Sequence, residues 1–225
     1  MHNPHAQPPP RPSTPSRPDR RRQRTRSAII AAGQHLFATR SLEGVSIDDI
    51  VEAADVAKGS FYNHFNDKAG LANAIVELVQ GDVEFHVFAA NRDIDDPARR
   101  VTRALAVVVG YARKNPDRVQ ALLSLSQRRT DIDSPLNAGV VGDIARGLAS
   151  GRFKGVSREA GALVVLSLAR TAVDYLSHAK STTALTDIVT DLSGALLRAL
   201  GVAADEALEI ARASTNLLIP LETGP

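Results

Sequence analysis

Between Ser46 and Leu71 two short stretches with helical apolar spacing are separated by only three residues, Asp55 to Ala57. A connection that short joins two helices through one tight turn and admits no other element. Ser46 precedes the first stretch and Asp49 follows three residues later, close to the Ser/Thr-x-x-Glu pattern that satisfies free N–H groups where a helix starts. Ile47, Ile50, Val51 and Ala54 then recur on one helical face, and Asp55 tolerates the left-handed backbone that stops a helix abruptly. In the second stretch Phe61 and Phe65 are four residues apart, so both turn inward with Val56 and leave Lys58, Gly59, Ser60, Tyr62, Asn63 and His64 outside.

That outer face has the chemistry of a duplex reader. Lys58 offers an ammonium to a phosphate or guanine edge, Asn63 offers paired hydrogen bonds to adenine, and Tyr62 and His64 donate to phosphate oxygens. Gly59 has no side chain to hold the backbone away. Ser46 and the amides after it form a helix N-terminus that favours a phosphate. The same spacing also describes an amphipathic helical hairpin whose polar face is merely solvated.

The run Val56-Ala-Lys-Gly-Ser-Phe-Tyr-Asn-His-Phe-Asn-Asp-Lys-Ala-Gly-Leu71 resembles the signature of the TetR family of transcriptional regulators, matched at Lys58-Gly59, Tyr62, His64-Phe65, Lys68 and Leu71. Upstream, Ile29 to Gly33, Leu36-Phe37, Gly44 to Ile47 and Ile50 fit the same family. The likeness is specific over about residues 20 to 71 and architectural beyond. It implies an all-α chain: an N-terminal three-helix helix-turn-helix domain, and a larger C-terminal helical domain for ligand binding and dimerisation. It also implies a homodimeric repressor of a palindromic double-stranded DNA operator, released by a small hydrophobic or amphipathic effector. The family usually has glycine where Asp55 stands and serine where Ala57 stands, so a less permissive turn and a second helix without its side-chain cap are expected.

Charge divides the chain sharply. Residues 1 to 26 hold seven arginines against the single acid Asp19, which leaves 20 basic and 24 acidic residues of the 27 and 25 in the whole chain. Seven of the twelve prolines lie within residues 1 to 18, so 1–19 is expected as an extended tail. Residues 1 to 18 read equally as a phosphate-tracking arm or a solvated extension, whereas Arg20, Arg21, Arg22, Arg24 and Arg26 are expected to contact DNA. No apolar stretch of adequate length follows the arginines, so a secretory signal is not expected. The chain has no cysteine, which excludes disulfides, thiolate catalysis and cysteine-bound zinc. Its most apolar short run, Ala104 to Val109, falls far below the ~20 residues of a membrane helix, so a soluble, cytoplasmic protein is expected.

Beyond Leu71 the pattern is helical throughout. The expected organisation is the helix-turn-helix domain over 20–67, a connecting helix over 68–90 with Leu71, Ile75, Leu78, Val79 and Val83 buried, and an effector-binding and dimerisation domain over 91–225. Further helices are expected from Pro97 to Asn115, Asp117 to Arg129, Ser134 to Gly151, Ser157 to His178, Leu185 to Leu200 and Ala204 to Leu218. Small residues Ala160, Gly161, Ala169, Ala172 and Gly194 are expected where the last two long helices meet a second subunit.

Ser167, Arg170, Thr171, Asp174 and His178 form a polar stripe on a mostly apolar helix, readable as a cavity lining, an intrahelical ion pair or a subunit contact. The candidate effector pocket comprises Arg170, Asp174 and His178 together with Phe85, Phe88, Tyr111, Leu122, Ser126 and Gln127, which lie on helices the family uses. Asp174 and His178 lack a third ligand at metal spacing, so no metal and no cofactor is expected. The phosphate loops, nucleophile elbows and zinc-protease motifs of enzymes are missing, so no catalytic role is expected. The rival expectation is an effector-independent architectural or nucleoid-associated DNA-binding dimer.

Overall fold

The computed structural model describes residues 17–126, 132, 137–177 and 182–215. Ten helices order these residues: α1 (Arg17–Thr39), α2 (Ile47–Ala53), α3 (Lys58–Tyr62), α4 (Lys68–Ala90), α5 (Pro97–Lys114), α6 (Pro116–Leu125), α7 (Ala138–Ala149), α8 (Arg158–Ser177), α9 (Thr182–Ala199) and α10 (Ala204–Thr215). No strand occurs among the described residues. The first 16 residues of the expected tail, Gln127 and His178 lie outside them.

Most helix ends follow local chemistry. Ser46 and Asp49 form a full capping box on α2, with Asp49 N–H donating to Ser46 Oγ at 3.0 Å and Ser46 N–H donating to Asp49 Oδ2 at 2.8 Å. Asp67 caps α4 by accepting from Gly70 N–H at 2.7 Å. Asp96 caps α5, whose first residue is Pro97, and Pro116 opens α6. The tail expectation needs one correction: α1 already begins at Arg17, because Pro18 is tolerated in a first turn and Asp19 complements the positive end of the helix dipole.

One apolar core runs from the helix-turn-helix unit into the C-terminal domain, through Ile29, Phe37, Ile50 and Phe61, then Leu71, Ile75 and Val79 of α4, then Leu105, Leu122 and Val173. The boundary expected at residue 67 is therefore a change of surface rather than a break in packing. Gly33 lets α1 approach α4 closely, since a Cβ there would lie 2.9 Å from Ile75 Cδ1. A second core gathers Val101, Ile144, Phe153, Val165, Leu197 and Ile210 at the far end. At the junction of α9 and α10, Gly201 has φ 83° and leaves no room for a Cβ, which would stand 2.4 Å from the Lys154 carbonyl oxygen. Leu78 departs from its expected burial: the buried stripe of α4 follows Leu71, Ile75 and Val79, and Leu78 falls to its side, 37% exposed.

Candidate DNA-binding face and effector cavity

The turn between α2 and α3 is built as its residues require. Asp55 has φ 52°, the left-handed conformation expected there. Ala57 occupies the cap position of α3 and supplies no side-chain hydrogen bond, as its methyl group dictates. What holds this five-residue helix is packing, since Phe61 is fully buried and Phe65 is 6% exposed, their rings 5.8 Å apart.

The outward face carries the expected polar set. Tyr62 is 52% exposed and stands edge-on to Phe61, and Asn63 is exposed. Gly59 meets nothing within 4 Å of a notional Cβ, so its surface stays open to a partner. Ser60 and His64 are half-buried at the edges of this face. Lys58 reaches back to Asp48 of α2, Nζ to Oδ1 at 2.7 Å, and this bond holds its ammonium above the ordinary lysine range.

Arg20, Arg21, Arg22, Arg24 and Arg26 are exposed along α1. The Arg26 guanidinium lies 5.3 Å from the centroid of the Phe65 ring, which ties the basic helix to the end of the α3 unit. Desolvation, then Arg22 and Arg26, hold the His64 imidazole below the ordinary histidine range, so it is neutral at pH 7 and keeps one N–H to donate. Lys68, which the sequence offers as a further DNA contact, is engaged within the chain. Its Nζ donates to the Val45 carbonyl at 2.6 Å and approaches the Glu43 carbonyl at 3.5 Å, so the ammonium pins α4 to the loop before α2.

Farther along α4 a cavity of about 410 Å³ opens between α4, α5, α7, α8 and α9. Its walls are mainly aliphatic, with Val83 and Val87 from α4, Val101 and Leu105 from α5, and Val165 and Val173 from α8. Of the expected pocket residues it contains Phe88 and Arg170. The other described ones lie elsewhere for identifiable reasons. Phe85 is 66% exposed on the opposite side of α4. Tyr111 donates its hydroxyl to Asp82 Oδ2 at 2.8 Å, and burial followed by that bond pushes its phenol up to about 12. Leu122 is in the first core, Ser126 Oγ is buried without a partner among the described residues, and Asp174 is exposed.

The residues missed from sequence are Gln80, Glu84, Arg100 and Asp143, all on the cavity wall. Gln80 and Glu84 interrupt an apolar stripe at helical spacing, which is the signal that marks them. Arg100 and Asp143 gave none, because only the crossing of α5 and α7 brings Nε to 2.6 Å from Oδ1.

The expected subunit-contact residues also divide. Gly161 and Ala172 serve packing within the chain: a Cβ on Gly161 would lie 3.0 Å from Ile144 Cγ2, and Ala172 is 2% exposed. Gly194 is buried beside Arg198, and Ala169 lines the cavity. Ala160 remains on the surface of α8, where Leu163 and Tyr175 are 41% and 64% exposed.

Outside the cavity, polar contacts link α4 to α5 and α6, and α6 to the basic helix α1. Asp82 of α4 accepts from Tyr111 of α5 and, at 2.9 Å, from Arg118 of α6. The neighbouring Asp117 meets His35 of α1 at 2.9 Å.

Comparison with known proteins agrees with this arrangement. The profile for bacterial regulatory proteins, tetR family, matches residues 29–75, and that for the tetracyclin repressor-like C-terminal domain matches residues 96–213. The chain is 29% identical over 85 residues to the HTH-type transcriptional repressor DhaR of Mycobacterium sp. (strain GP1), covering 37% of this chain and 43% of that protein. It is 30% identical over 126 residues to the probable acrEF/envCD operon repressor of Escherichia coli (strain K12), covering 52% of this chain and 54% of the relative. The chain thus spans about half the length, or less, of these curated relatives. The crystal structure of RolR in complex with resorcinol superposes with a TM-score of 0.61 at 26% identity, over 85% of this chain and 95% of that one.

Proposed function

Because the chain belongs to the TetR family of bacterial regulatory proteins, we propose that it is a homodimeric transcriptional repressor that binds a palindromic operator and is released by a small molecule in the cavity. One observation carries the reading. The single helix α4 starts six residues after α3 ends and, farther along, supplies Gln80, Val83, Glu84 and Val87 to the cavity wall. A ligand that shifts α4 therefore shifts the base-reading helix. RolR, whose structure holds resorcinol, supports the small-molecule part of the reading.

In this reading Asn63 and Lys58 read base edges, Tyr62, His64 and Ser46 bind phosphates with Gly59 and Ser60 allowing close approach, and the α1 arginines supply salt-sensitive affinity. Lys58 exchanges Asp48 for DNA on binding. The apolar surface around Leu163 and Tyr175 meets its copy in a second subunit, which places two α3 helices about one DNA turn apart, ~34 Å. Effector and operator act reciprocally: whatever factor the effector takes from DNA affinity, DNA takes from effector affinity. The cavity argues against an effector-independent architectural dimer.

Light scattering after size exclusion, with footprinting on genomic fragments, tests the proposal. A particle of twice the 24.0 kDa chain mass and two protected half-sites are expected. A monomer without sequence preference overturns it.

A further inference from the structure

The ion pair that spans the turn from α2 to α3 is spare to both helices. The capping box of α2 uses Asp49, which also stands near Arg40, so the Asp48 carboxylate is left over at that helix start. α3 is held by the buried Phe61, and a pair whose Lys58 and Asp48 side chains are 54% and 72% exposed adds little to that packing. Among the described residues no cation besides Lys58 pairs with Asp48. Beside the pair Gly59 leaves the surface open, and Tyr62 and Asn63 are exposed.

The separation of the two charges matches one pattern on the duplex. In the major groove a G·C pair presents the guanine O6 acceptor beside the cytosine N4 donor. Those atoms are joined by one hydrogen bond of the base pair, ~2.9 Å long. Lys58 Nζ and Asp48 Oδ1, a donor beside an acceptor, are 2.7 Å apart. Set edge to edge, the ammonium turns a proton from Asp48 to O6, with guanine N7 as a second acceptor, and the carboxylate accepts the N4 proton that pairing leaves free. The reversed pair, C·G, sets donor against ammonium and acceptor against carboxylate. T·A keeps the order but has a methyl group where guanine has N7. A phosphate has no proton for Asp48, so moving Lys58 onto the backbone would strand that carboxylate beside an anion.

We propose that Asp48 is a specificity residue: together with Lys58 it reads one G·C pair, in one orientation, in each operator half-site, Asp48 on cytosine N4 and Lys58 on guanine O6. This rests on reading α3 as the base-reading helix, and it adds a residue of α2 to the reading set. The same carboxylate weakens binding to other sequences, since nonspecific complexes are held by phosphates. The pair thus moves affinity from the backbone to a base edge, and it sharpens recognition by a repulsive element as well as an attractive one.

The test replaces each base pair of a half-site protected in footprinting by the other three in turn, with binding of the full chain read by fluorescence anisotropy. At one position the wild-type chain is expected to bind G·C about thirtyfold more tightly than C·G and about threefold more tightly than T·A. Asp48→Ala is expected to cut the first ratio to about threefold and to bind a shuffled duplex about threefold more tightly. Asp48→Leu, close to aspartate in size, serves if the alanine variant does not fold. Lys58→Met and the double variant are expected to match Asp48→Ala in the first ratio, because the two side chains act as a unit. An orientation preference unchanged in Asp48→Ala assigns the reading to Lys58 alone and overturns the proposal, leaving the repressor reading standing. A gain by Asp48→Ala that is equal on every duplex reduces the carboxylate to repulsion and overturns it too, as does a wild-type chain with no such preference at any position. Absence of any protected half-site overturns the base-reading helix itself.

Discussion

The helix-turn-helix unit and the candidate effector cavity are built on opposite plans. Around α3 the functional groups are on the outside of a motif 26 residues long, and each is positioned by neighbours in sequence: Ser46 by Asp49, Phe61 by Phe65, the turn by Asp55. In the cavity the functional groups are inside, and each wall comes from a different helix. A local motif fixes an outward face with few contacts, whereas an inward face exists only once distant elements pack. Yet the two are not separate bodies, since one apolar core includes Phe61, Ile75 and Val173.

The largest expected effect tests that continuity. Phe61→Ala removes the fully buried ring under α3 and should cost about 3–5 kcal/mol, abolishing operator binding. Thermal melting followed by circular dichroism then distinguishes two outcomes. A single lowered transition means that the shared core makes the halves cooperative; a split transition, with cavity binding retained, means that they are only adjacent.

Next in size is the polar cluster that ties α4 to α5 and α6. Asp82→Ala leaves the Tyr111 hydroxyl and Arg118 guanidinium without their shared acceptor, at about 1–3 kcal/mol. Ligand affinity should persist while ligand-induced operator release weakens, measured by fluorescence anisotropy of labelled DNA. Unchanged release would show that α4 alone transmits the signal.

Ala57→Ser supplies the missing cap of α3 and should stabilise the chain by about 1 kcal/mol in urea unfolding, with the cavity unaffected. No gain would mean that Phe61 packing already fixes the helix start.

The smallest effect is acid sensitivity at α2. The Ser46 backbone N–H, then its hydroxyl, hold the Asp49 carboxyl below its ordinary 3.8. A depressed carboxyl contributes stability that is complete above the unfolded value and is lost as pH falls through the folded one. Ser46→Ala should therefore melt lower than the parent at neutral pH, and the gap should narrow as pH falls from about 4 towards 2. A gap constant with pH would assign the cap to the hydroxyl alone.

How far each region could be read in advance follows from the same contrast. The boundaries of α2 and α4, the left-handed Asp55, the uncapped α3 and the buried Phe61 and Phe65 were all legible, because capping and periodicity act within a few residues. The bond from Lys68 to the carbonyl of Val45, 23 residues away, was not legible, because only the packing of α4 against the loop before α2 brings them together. Phe85, Tyr111 and Asp174 have the composition of pocket residues, but their helices rotate them elsewhere, while Gln80 and Asp143 take the wall. Gly161 and Ala172 show the same limit: a small residue signals close approach without saying whether the approaching helix belongs to this chain.

By itself the sequence determined the helices, the helix-turn-helix and its outward chemistry, because backbone hydrogen bonding, caps and 3.6-residue periodicity are short-range. The tertiary structure alone decided which side chains share a cavity and that Arg100 is neutralised by Asp143. It likewise put the Gln80 side chain on the wall of that cavity. Those outcomes depend on the angle and rotation at which five helices cross, set by the packing of the whole core rather than by any one segment.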